Sequence, residues 1–122
     1  MTTTTTVEDA KRLAAILERI EVLTAKFVAD GQAQHPILSP DRYETEVGAK
    51  FIRIVCVHGG NGQRMVHAFV DVSNGNLIKA AGWKAPAKRK NGLAVCCSLL
   101  DDDKFAWLMA EADRFGHYLY VR

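Results

Sequence analysis

No run of apolar residues in this chain approaches the roughly 20 that a helix needs to cross a bilayer. The longest, such as "GLAVC", stop far short. The N-terminus, MTTTTTVED, has neither a basic segment nor an apolar core, so it does not read as a secretory signal. Cysteine is scarce as well. Cys56, Cys96 and Cys97 include no CxxC pair, which argues against a disulfide framework and against a zinc site. A cytoplasmic chain with reduced thiols is the expectation. Acidic residues are nearly missing from the middle: residues 47–100 hold eight Lys/Arg against Asp71 alone, a net of +7. Residues 1–46 carry five Lys/Arg against eight Asp/Glu, a net of −3, and residues 101–122 carry three against five, a net of −2. A modest overall charge of +2 therefore hides a basic centre between two acidic ends. Such segregation points to an anionic partner, or to the ends of one subunit meeting the middle of another.

What is present suits one folded domain. The 122 residues are 48% hydrophobic and 25% charged, enough for a real core and too short for two. Residues 1–5 are a threonine tract with nothing to bury and are expected to be disordered; residues 6–122 form the domain. Thr5 followed three residues later by Glu8 is a capping-box pattern, and no Pro or Gly follows until Gly31. Leu13, Ile16, Ile20, Leu23 and Phe27 are spaced 3, 4, 3, 4, a heptad seam on a helix of about 25 residues and roughly 37 Å. That seam either packs lengthwise on the chain's own sheet or pairs with its copy in a homo-oligomer, with a dimer favoured.

Residues 32–48, with two prolines and Ser-Pro-Asp, read as a connection out of the helix. Three strands are expected next, at 49–58, 63–72 and 77–83, forming an antiparallel meander. "GGNG" closes the first hairpin and Asn74-Gly75 the second, the latter as a type I′ turn. The first strand is apolar on both faces, with Ile52, Ile54 and Cys56 on one and Phe51, Val55 and Val57 on the other, so cover is expected on both sides. "LAVCCSLL" (93–100) reads equally as a buried strand or a helix entry. Ser98 or Asp101 then caps a C-terminal helix whose stripe is Phe105, Leu108, Met109, Ala112 and Phe115. "HYLYVR" closes as a short strand. The fold class expected is α+β.

The candidate contact surface lies in the basic centre. Trp83 with Lys84, Lys88, Arg89 and Lys90 combines an indole face for stacking with charges that neutralise phosphates, and Pro86 stiffens the loop. Lys79, Arg53 and Arg64 extend the patch if they share the exposed sheet face. The plainer reading packs Trp83 in the core and leaves the lysines to solvate a loop. His58 and His67 read as hydrogen-bonded sheet residues, Cys96-Cys97 as small hydrophobes without an activating neighbour, and Asp101, Asp102 and Asp103 as complements of a helix dipole. "HGGNGQ" lacks the order and the following helix that a phosphate cradle needs.

The stretch from Lys50 through Lys90 resembles small phage-encoded proteins of no assigned function. The residues that carry this are His67-Ala68-Phe69-Val70-Asp71, Asn74-Gly75, and Lys79-Ala80-Ala81-Gly82-Trp83-Lys84-Ala85-Pro86-Ala87-Lys88. The resemblance spans about a third of the chain, and after Lys88 the sequence departs from it with Arg89-Lys90-Asn91-Gly92. It implies a phage origin and a small α+β fold, and carries no activity. Two functions follow as expectations. The first is a non-enzymatic binder of nucleic acid or a phosphate-bearing, nucleotide-like ligand, with no cofactor and no metal. The alternative is a protein–protein interaction module that blocks a host factor or self-assembles through its long helix.

Overall fold

The computed structural model describes residues 7–34, 41–90, 92–112 and 119. Helix α1 runs Val7–Gln34. Glu8 and Asp9 sit in its first turn, where the helix dipole favours acids. It passes through Gly31 instead of ending there, since an interior glycine costs only about 1 kcal/mol relative to alanine. The expected threonine caps fall outside the described residues.

The sheet has five strands where three were expected. β1 (Arg42–Val47), β2 (Phe51–Val57), β3 (Arg64–Asp71), β4 (Asn76–Lys79) and β7 (Val95–Ser98) pair antiparallel in the order β1-β2-β3-β4-β7. β1 lies in the stretch read as a connection, and β7 settles the ambiguous "LAVCCSLL" as strand. β4 ends at Lys79, four residues short of Trp83. Between β4 and β7 the chain makes an excursion containing a small hairpin of β5 (Lys88–Arg89) and β6 (Gly92–Leu93).

Two turns hold the meander. Gly75 has φ +75°, while no non-glycine residue among those described has positive φ, so the turn is not the expected type I′, which needs positive φ at both central residues. Asp71 explains the difference. Its Oδ1 accepts from the Ser73 N–H (2.8 Å) and hydroxyl (2.6 Å), and its carbonyl accepts from the Gly75 N–H (2.8 Å), which widens the loop. Gly62 (φ +73°) closes the β2–β3 hairpin in the same way, its N–H bonded to the His58 carbonyl.

Residues directly opposite in an antiparallel pair share a face. Ile52, Ile54, Val70, Ala68 and Leu77 therefore face one side, where α1 and helix α2 (Asp102–Glu111) close the main core with Ile16, Ile20, Leu23, Phe27, Phe105 and Leu108. The extra residue in β3 is His67, which forms a bulge between the Ala68↔Ile54 and Val66↔Val55 pairs. Its ring lies tilted 4.8 Å from that of Phe27 and edge to face with Tyr43 at 6.1 Å.

Ile16, Ile20, Leu23 and Phe27 are at most 1% exposed and Leu13 packs against them, so the heptad seam faces the chain's own sheet. Pairing with a second copy through these residues would require opening the core. Spacing of 3 and 4 is common to a helix on a sheet and to a coiled coil, which is why periodicity alone did not separate them.

Asp101 caps α2, its Oδ1 accepting from the Lys104 N–H at 3.1 Å. Phe115 and the "HYLYVR" strand fall outside the described residues, apart from Leu119, which is buried in the core. Arg19 joins the two helices, 2.7 Å from Asp102 and 4.4 Å over the Phe105 ring, and the Lys26 ammonium donates to the Ala112 carbonyl at 2.6 Å. Among the described residues no helix is long and apolar enough to cross a membrane.

Candidate anion-binding face

The opposite face of the sheet is closed by the chain itself. Val55, Val57, Phe69 and Ile78 on this side are at most 3% exposed, although none belongs to the core that the helices close. Their cover is the excursion after β4. Its base is a three-way backbone knot: the Ala87 N–H donates to the Lys79 carbonyl (2.7 Å), Lys79 to Ala94 (3.0 Å) and Ala94 to Ala87 (2.8 Å). A bridge between Ala80 and Pro86 and a bond from the Ala81 N–H to the Ala85 carbonyl (3.1 Å) form the tip around Trp83. "GWKAPAKRK", residues 82–90, is thus part of a folded flap and not a free loop.

Trp83 lies on the flap at 38% exposure, neither core nor open platform. The Arg53 and Arg64 guanidinium carbons stand 4.7 and 5.4 Å from its ring centroid. Arg53 Nε also donates to the Trp83 carbonyl at 2.8 Å. Both arginines are held in turn by β1. Arg53 pairs with Glu46 at 2.7 Å, and Arg64 bridges Glu44 at 3.1 Å and Glu46 at 2.9 Å. The Glu46 carboxyl is held below the usual carboxylate range, chiefly by its hydrogen bonds from Arg53 and then Arg64; Arg64 is raised correspondingly by Glu46. The acidic first third of the sequence therefore meets the basic middle within a single chain.

This sorts the expected contact residues. Arg53, Arg64, Trp83 and Lys84 come together. Lys88 and Lys90 are exposed on the hairpin of the flap. Arg89 pairs through its backbone with Gly92, and its side chain lies outside the described part of the structure. Lys79 is opposite Ala68, so it leaves the sheet on the helix side and does not join the patch. Its position one residue past Ile78 carries that signal, once the register is known.

Beside the arginine–tryptophan stack opens a cleft of about 410 Å³, lined by Glu46, Val47, Gly48, Lys50, Phe51, Arg53, Phe69 and Lys84. Phe51 and Phe69 meet edge to face at 6.2 Å and form its apolar floor. The Lys50 ammonium stands 5.4 Å from the Phe51 ring, and Arg53 lies 5.8 Å from that of Phe69. Lys50 and Lys84 have no acidic partner among the described residues. Sequence reasoning had not singled out Lys50, Phe51 or Phe69 for binding. The tight turn at Gly48, whose N–H bonds to the Phe51 carbonyl at 2.9 Å, is what sets Lys50 at the cleft mouth.

The histidines take structural places. His58, beyond the end of β2, accepts from the Gly60 N–H at 3.3 Å and lies 4.0 Å from Asp41. Among the described residues no group of three or more His, Cys, Asp and Glu is placed to hold a metal ion.

A family model described as "Family of unknown function (DUF7717)" matches residues 2–121. The chain belongs to that family. No curated protein and no solved structure matches this DUF7717 member, so the geometry of its cleft carries the functional argument.

Proposed function

We propose that this chain binds a phosphate-bearing, nucleotide-sized ligand in the cleft between the β1–β2 turn and the flap, without catalysing its turnover. One observation carries the reading: Lys50 and Lys84, both without an acidic partner among the described residues, flank an aromatic floor that also holds Arg53. Lysine ammoniums are well suited to a phosphate as point charges, and an apolar floor favours the ring of a base. The volume lies within the range of small-ligand sites, about 300–1,000 Å³. Glu46 is the acid on the wall, but Arg53 and Arg64 already neutralise it, and its remaining acceptor capacity suits a sugar hydroxyl. Lys88 and Lys90 give a longer strand further positive charge to follow. The placing of the protein among phage accessory proteins of the host cytoplasm rests on the resemblance of residues 50–90 alone.

Calorimetric titration with nucleoside mono-, di- and triphosphates, alongside short single-stranded DNA and RNA, tests the reading. Binding should weaken between about 20 mM and about 300 mM salt. The Lys50→Ala/Lys84→Ala double variant should weaken it by about tenfold or more, since two charge-assisted contacts are lost. Unchanged binding in that variant, or no binding of any of these anions at low salt, would overturn the proposal and turn the search to protein partners.

A further inference from the structure

Cys96 and Cys97 were read from sequence as small hydrophobes, and in a regular strand adjacent side chains point to opposite faces. β7 is not regular. Its pairing with β4 runs Ser98↔Asn76 and Cys97↔Leu77, then shifts to Val95↔Ile78, which places a bulge at Cys96. The consequence shows in the packing. Cys97 belongs to the main core at 8% exposure, and Cys96, half-buried, packs against that same core. Neither is in a disulfide, and packing against one core places both on the helix side of the sheet. They share a hydrogen bond, which with burial raises the Cys97 thiol. Lys104 and Asp101, at the start of α2, are the nearby charges.

We propose that Cys96 and Cys97 form a dithiol site that captures one thiophilic centre of the trivalent arsenical class. Two adjacent soft donors fit such a centre, whereas tetrahedral zinc requires four, and among the described residues no group of three or more His, Cys, Asp and Glu is placed to hold a metal. Cys96, the less buried thiol, makes the first bond, and Cys97, the more deeply buried one, closes the ring. With phenylarsine oxide the reaction balances without any oxidant or reductant. Two S–H bonds and the arsenic–oxygen bond break, two S–As bonds form, and the oxygen leaves with both protons as water. Cys56 sits three strands away, about 14 Å at ordinary strand spacing, and takes no part.

The test uses the intact, folded chain with phenylarsine oxide, followed by intact mass and by counting thiols that still react with a maleimide. One arsenic per chain, two thiols protected and release by 2,3-dimercaptopropanol are the expected results. Cys56→Ala should behave as the native chain. Cys96→Ala and Cys97→Ala should each retain the arsenical about 100-fold less well, as one S–As bond replaces two. Far-UV circular dichroism checks the fold of each, and because Cys97 is buried, Cys96→Ala carries the test if Cys97→Ala does not fold. Equal retention by a folded single-thiol variant would overturn the proposal. So would uptake by the native chain only at denaturant concentrations that unfold it.

Discussion

The two faces of the sheet are closed by different physics. On one, α1 and α2 bury Ile16, Ile20, Leu23, Phe27, Phe105 and Leu108 against the strands, and no charged side chain among the described residues is buried with them. On the other, a shorter apolar row is covered by a flap held through backbone knots, two guanidinium–indole contacts and a Glu44/Glu46 to Arg53/Arg64 network. Hydrophobic burial is non-directional and adds up with area, so the helix face supplies stability. Exposed ion pairs contribute little, about 0–1 kcal/mol each, but they are directional and fix side chains in place. The flap face is where a cleft with uncommitted lysines can exist.

The largest effect expected is on the helix face. Leu23→Ala should cost about 2–5 kcal/mol, read as a lower urea midpoint, because a fully buried leucine leaves a cavity. A cost below about 1 kcal/mol would mean that α1 does not close the core as described. The two hairpin glycines sharpen the contrast next. Gly75→Ala places a Cβ 2.8 Å from Leu100 Cγ at φ +75°, and should cost about 2–3 kcal/mol. Gly62→Ala meets nothing within 4 Å at a similar φ, so only the backbone term of about 1 kcal/mol should appear. Equal losses in thermal unfolding would show that packing against Leu100 is not what distinguishes the turns.

On the flap face, Trp83→Ala should cost about 1–2 kcal/mol, less than Leu23→Ala, since the indole is partly solvated and its arginine contacts add about 0.5–1 kcal/mol each. The same variant should lose more in affinity for the proposed ligand than in stability, because it removes the indole ring that Arg53 packs against at the cleft wall. The smallest effect is that of pH on Glu46. Its carboxyl is depressed in the folded chain, so its contribution is present above the ordinary carboxylate value, about 4.3, and is lost as pH falls through and below that range. From about pH 6 to about pH 3, the urea midpoint of the native chain should drop slightly more than that of Glu46→Gln. Identical slopes would remove Glu46 from the network.

Much of the architecture was legible because it rests on local rules. The 3, 4, 3, 4 spacing from Leu13 to Phe27 marks a helix with one apolar stripe, and Asp101 ahead of "DDKFAWLM" marks an N-cap. β1 also carries a strand pattern, since Tyr43, Thr45 and Val47 alternate with Glu44 and Glu46, but Pro36 and Pro40 just ahead of it give the segment the composition of a connection. The site was only half legible. Trp83, Arg53, Arg64 and Lys84 were expected together and are found together, whereas Lys79 points away and Glu44 and Glu46 arrive from a segment more than 30 positions before the flap.

The sequence by itself determined that this is an α+β chain with two amphipathic helices, a meander and a basic, tryptophan-bearing segment, because periodicity, turn residues and charge are properties of neighbours along the chain. Only the tertiary structure decided which partner receives the heptad seam, which acids meet the arginines, and that a bulge turns two adjacent cysteines to one side. Those outcomes depend on strand register, where a shift of one residue exchanges the faces of the sheet. Register is set by contacts between segments far apart in sequence, and no local pattern records them.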